Sequence, residues 1–193
     1  MVRTMKTAVL LLCVACACAN AQEAGSAPTL TAGLRGGWTF KYYPDAEFPY
    51  DRTGGLALEV NTNWRVKDFF GVSIALGSTR ISSSNDPVVH GQIVSPARAS
   101  LHSYWLRAGL HLRFESLSVD PGVALHVVRS SIDAFGQQSR AEKMDPAYVL
   151  ACAWHIPLGA SMSLTAGVAA HYLTTLRVCL LLPQVGIERT LLE

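Results

Sequence analysis

Six histidines, a scatter of serines and nine charges embedded in apolar runs are the residues of this chain that could do chemistry. The histidines are His90, His102, His111, His126, His155 and His171. A metal centre needs closely spaced His and Cys ligands, and neither HExxH nor any spaced Cys/His set occurs. No metal, cofactor or cofactor-binding residue is expected. A hydrolase needs a serine beside an oriented base. Ser82–Ser84 and Ser130–Ser131 are the serine clusters, and His102, His126 and His171 are the candidate bases, but no pair has diagnostic spacing. No catalytic residue is assigned. The charges say more. Arg35, Lys41, Glu59, Arg65, Arg107, Arg113, Glu115, Asp120 and Glu188 alternate with apolar neighbours. Confined together they must pair with one another or with water. Their expected role is a polar network.

The elements that would position them read as strands. A period of two in hydropathy marks a ribbon with two unlike faces. Eight ribbons are expected, at 31–43, 56–66, 69–80, 100–114, 117–129, 147–156, 161–174 and 179–192. In the second, Leu56, Leu58, Val60, Trp64 and Val66 share one face, and Ala57, Glu59, Asn61, Asn63 and Arg65 the other. In the fourth, Tyr104, Leu106, Ala108, Leu110, Leu112 and Phe114 oppose Arg107, Gly109, His111, Arg113 and Glu115. Pro183 cannot donate to a ladder, which places it near a rim or at a bulge. Connections alternate long, at 44–54, 81–99 and 130–146, and short, at 67–68, 115–116 and 157–160. A short turn at 175–178 ends the series.

The first residues belong to export rather than fold. Arg3 and Lys6 precede the apolar run "TAVLLLCVACACANAQ", which ends in Ala19-Asn20-Ala21. That is the build of a secretory signal peptide, residues 1–21, with the domain following at 22–193. A cut before Cys16 or Cys18 would instead leave a cysteine to acylate; the Ala-x-Ala ending favours ordinary cleavage. Removing Arg3 and Lys6 takes the 16 basic residues to 14, equal to the 14 acidic ones. A neutral chain without an arginine-rich arm is not built for nucleic acid. Only Cys152 and Cys179 remain, too few for a disulfide framework.

Periodicity alone leaves inside and outside undecided, since a soluble barrel would show the same alternation. The ribbons, however, are longer than the five or six residues usual in soluble sheets and suit tilted membrane strands. Their polar faces mix Gly, Ala and Ser with both charge signs. Aromatics gather at strand ends: Tyr42, Tyr43, Phe48 and Tyr50 with Tyr104, Trp105, Tyr148 and Tyr172 at one rim, and Trp64, Phe69, Phe70 and Phe114 at the other. These features predict an all-β fold, an eight-stranded antiparallel up-and-down transmembrane β-barrel with lipid outside and charges inside. The first ribbon must then pair with the eighth, because lipid tolerates no open sheet edge.

The signal, the ribbons, the loop series and the opening "AGLRGGWTFKYY" resemble the small outer-membrane barrels of diderm bacteria, the OmpA-membrane-domain, OmpX and OmpW group. The cysteine-rich signal also looks spirochaetal. One departure is the ending Leu191-Leu192-Glu193, where such barrels often end in an aromatic residue. The resemblance implies a monomer in the bacterial outer membrane, with membrane lipids and the barrel assembly machinery as partners. It also implies a structural role or narrow passage of small, hydrophobic solutes. Two other readings stand beside it: a surface adhesin binding a host ligand through its long loops, and a lipid A-modifying enzyme. The lumen network expected to line the interior is Arg35, Glu59, Arg65, Arg107, Arg113, Glu115, Asp120 and Glu188.

Overall fold

A computed structural model describes residues 28–42, 54–67, 69–84, 87–90, 93–96, 98–134 and 137–192. The expected signal peptide, with Tyr43, Phe48 and Tyr50, lies outside the described residues. The strands are β1 (Thr29–Tyr42), β2 (Gly55–Lys67), β3 (Phe70–Ser84), β4 (Pro87–His90), β5 (Ile93–Pro96) and β6 (Arg98–Phe114). They continue as β7 (Leu117–Ala134), β8 (Gln137–Pro157), β9 (Met162–Leu173) and β10 (Val178–Leu192). Eight of them form one closed antiparallel barrel in the order β1-β10-β9-β8-β7-β6-β3-β2. The remaining two, β4 and β5, make a small hairpin within the connection from β3 to β6. Closure runs along β1 and β10, with Leu34 opposite Ile187 and Arg35 opposite Gly186.

The barrel is inside-out. Leu34, Leu58, Val60, Ile74, Leu76, Leu106, Leu150, Val185 and Ile187 are all exposed, while Arg35, Glu59, Arg107 and Glu188 are buried. Two aromatic girdles bound the apolar band: Trp38, Tyr42, Tyr104, Tyr148 and Tyr172 outward at one rim, and Trp64, Phe69, Phe114 and Trp154 at the other. Leu30, the partner of Trp64, lies twelve residues (42 minus 30) before Tyr42 on β1. That is about 40 Å of strand, or about 30 Å of height at a tilt near 40°, enough to cross a hydrocarbon layer. An inverted closed barrel with such girdles is an outer-membrane architecture.

Four expectations need correcting. Val66 is buried, because a bulge between Arg65 and Lys67 in the β2–β3 ladder reverses the alternation there. Trp105 does not join a girdle; it points inward, opposite Gly77. The connection at 130–146 is mostly strand. β7 and β8 run on together from Leu125↔Pro146 up to Ala134↔Gln137, above the last β8–β9 pair, Ala147↔Leu173. Pro183, expected near a rim or at a bulge, instead sits within β10 on the lipid face, where the β1–β10 ladder skips from Gly37↔Gln184 to Phe40↔Leu181 without a change of register.

Candidate functional site: the lumen and the outer hairpin

The inner half of the lumen is ionic. Glu59 reaches down from β2 and accepts a hydrogen bond from Arg107 Nη2 at 3.2 Å. Arg35 Nη1 stands 3.7 Å from the same carboxylate and its Nη2 stands 3.9 Å from Glu188. Glu188 also draws Arg113 at 3.8 Å and His155 at 3.9 Å, and accepts from Asn63 Nδ2 at 3.2 Å. Below them His111 Nδ1 meets Asp120 at 2.7 Å, where the β6–β7 ladder passes Pro121 without pairing. His155 Nε2 bonds Ser118 Oγ at 2.9 Å. A low-dielectric interior makes each of these contacts costly to leave half-made.

The outer half is mainly apolar, although Lys41 is buried there opposite Leu180 and the hydroxyls of Thr39 and Thr79 bond to each other. Ile81, Trp105, Val128, Val149, Leu173, Val178, Leu180 and Leu182 are buried against one another with alanines between them. Trp105 fits because Gly77 faces it; a Cβ there would lie 2.2 Å from the indole. Its Nε1 reaches Glu59 at 3.4 Å and so ties the two layers together. Against the indole, Ser103 Oγ, His126 and His171 form a chain, with Oγ···Nδ1 at 2.8 Å and Nε2···Nδ1 at 3.0 Å. His126 stacks on Trp105 at 5.6 Å, and His171 meets it edge-on at 5.3 Å. Geometrically this is a serine–histidine–histidine relay. Ser103, His126 and His171 are all fully buried, so no acyl chain in the lipid reaches the hydroxyl.

Of the network expected from the sequence, Arg35, Glu59, Arg107, Asp120 and Glu188 are buried in the lumen, and Arg65 and Arg113 are half-buried at its inner mouth. Glu115 does not join them. It is exposed in the two-residue turn between β6 and β7 at φ 53°, and its carbonyl accepts from Arg113 Nε at 3.2 Å. The turn breaks the alternation one residue earlier than the sequence pattern suggests. Sequence reading missed Ser103 and the inward Trp105, and it put Asn63 on the polar face without naming it in the network. For Ser103 and Trp105 the signal was present, since at period two they share the face of Arg107.

The second feature is the hairpin. From Gln137 to Met144, β8 has β7 on one side and no strand on the other among the described residues. Below that stretch the chain is fastened. Asp145 accepts from the backbone N–H of Thr175 at 2.8 Å and of Leu176 at 2.9 Å, and Thr174 N–H donates to Pro146 O at 3.0 Å. Outside, Arg129 and Glu142 pair at 2.6 Å, with Arg129 lying 6.0 Å from the centre of the Tyr104 ring. Ile132 and Met144 are exposed apolar side chains on this extension.

No family model and no curated protein matches this chain. Solved structures do. The attachment invasion locus protein Ail of Yersinia pestis superposes with a TM-score of 0.57 at 13% identity, over 84% of this chain and 97% of Ail. Neisserial surface protein A gives 0.56 at 12% identity, over 85% and 99%. A major outer membrane protein of Thermus thermophilus gives 0.59 at 11% identity, over 86% and 100%. The shared property is the fold. The chain is an eight-stranded outer-membrane β-barrel.

Proposed function

We propose that this protein is a surface adhesin of the bacterial outer membrane, acting through its outer connections on a scaffold whose lumen is packed shut. In this reading residues 1–21 are removed on export, the barrel is monomeric, and it carries no catalytic chemistry. The observation that carries the reading is the edge of β8 from Gln137 to Met144, which no strand covers among the described residues. Such an edge offers a row of backbone donors and acceptors to an extended segment of another protein, which would add as a strand. The apolar plug above the ionic layer weighs against passage of solute. One of the fold's similar structures, Ail, is described as an attachment protein, which supports a surface role.

Arg129 and Glu142 face each other in register. Replacing the twelve residues Ser130 to Ala141 (141 minus 129) by an Asn-Gly turn therefore trims the hairpin without moving the barrel. Bacteria displaying the native chain should adhere to immobilised extracellular-matrix protein, and the trimmed variant should lose that adhesion while keeping a heat-modifiable gel shift. Full adhesion by the trimmed variant would refute the reading.

A further inference from the structure

We propose that the lumen holds a binding site for one small inorganic anion of halide size, between Arg35 on β1 and the wall formed by β8, β9 and β10. A cavity of about 10 Å³ lies there, lined by Arg35, Ala151, Ala153, Thr165, Gly167 and Gln184 among others. That is about the room one water-sized sphere needs. Arg35 is only 4% exposed. Its Nε and Nη2, Gln184 Nε2 and Thr165 Oγ1 are buried without a hydrogen-bond partner in the protein. Three residues that line the chamber thus carry four of the unpartnered buried polar atoms among the described residues, and such groups are nearly always satisfied by protein, water or a bound ligand.

The chemistry of the lining selects the ligand. Three of the four atoms are N–H donors, and only the threonine hydroxyl could also accept. A water molecule must place two hydrogens of its own and finds one acceptor among them. A halide can accept from any donor among them and needs no acceptor. Charge points the same way. The carboxylates nearest Arg35 are already engaged: Glu59 by Arg107 at 3.2 Å, and Glu188 by Asn63 at 3.2 Å and Arg113 at 3.8 Å. Three guanidiniums thus share two carboxylates, and Arg35 holds the longer contacts, 3.7 and 3.9 Å. Both exceed hydrogen-bond length. An anion in the chamber completes the shell of Arg35. The arginine and glutamine ends are flexible enough to draw back the few tenths of an ångström a chloride requires.

The test uses the mature chain folded in detergent at constant ionic strength, with chloride or bromide exchanged for gluconate. The thermal midpoint should rise with halide, saturably and by about 2–4 °C, as expected for a ligand bound only by the folded state. Crystals grown in bromide should show an anomalous peak within hydrogen-bond reach of Arg35. Gln184→Glu supplies a carboxylate from the protein itself and should abolish the halide response. Thr165→Val, a milder change that guards against a misfolded first variant, should weaken the response severalfold. A native midpoint indifferent to halide, ordered water alone in the chamber, or a halide response unchanged in both variants would overturn the proposal.

Discussion

At the residue scale, burial outweighs distance in deciding what each ion pair contributes. The shortest pair, Arg129–Glu142 at 2.6 Å, has both side chains about half exposed. Arg129→Ala should cost less than about 1 kcal/mol. Glu59 is buried among Arg35, Arg107 and the Trp105 indole. Glu59→Gln leaves two enclosed guanidiniums short of charge and should cost about 3–5 kcal/mol. Urea unfolding in lipid vesicles measures both, and equal losses would contradict the layered lumen. Tryptophan offers a second check. The chain has four, of which Trp38, Trp64 and Trp154 face outward and Trp105 faces inward. In vesicles of brominated lipid, a variant retaining only Trp105 should keep most of its emission, and variants retaining one outward tryptophan should be strongly quenched. This level was partly legible beforehand. Arg35, Glu59, Arg107 and Glu188 alternate cleanly with greasy neighbours. Glu115 looks the same, but it is the first residue of the two-residue turn after β6, and hydropathy carries no mark of where a ladder stops. Trp105 was misplaced because a large aromatic inside a narrow barrel needs a glycine on the facing strand. Gly77 is that glycine, and its pairing exists only in three dimensions.

At the element scale, strands two-faced in hydropathy were readable, and strands polar on both faces were not. Residues 137–144 of β8 are exposed throughout, so they carry no alternation and resemble a loop. What makes them a strand is the continuing ladder with β7, which extends an already registered pair at little further entropic cost. Val66 was misassigned for a related reason: one extra residue at a bulge leaves composition unchanged and reverses every later side chain. The turns give a direct prediction. Glu115 is a non-glycine residue held in the left-handed region at φ 53°. Glu115→Gly removes about 1 kcal/mol of steric cost while keeping the carbonyl that Arg113 uses. The unfolding midpoint should rise by a few degrees; a fall would mean that the carboxylate has a role at the inner rim.

At the scale of the whole molecule, closure and filling follow from one number of strands. Eight tilted strands enclose a bore just wide enough for side chains to fill. Here an apolar plug occupies the outer half and an ionic lattice the inner half. Planar-bilayer recordings of the folded protein should therefore stay silent at moderate voltage. Stable conductance steps would show that the plug opens. With its interior committed to cohesion, the barrel meets its surroundings through its lipid face and its rims.

The ten residues from Gln137 to Pro146 (147 minus 137) climb about 33 Å of strand beyond the last β8–β9 pair. In the proposed orientation that length sets how far the edge reaches into the saccharides of the cell envelope. On a bacterium whose glycan chains are shorter than that reach, the edge meets the outside world. Under a longer coat the same edge is smothered. If the proposed adhesin role holds, attachment should scale inversely with polysaccharide length in otherwise identical cells, a dependence that microscopy of adherent bacteria can count.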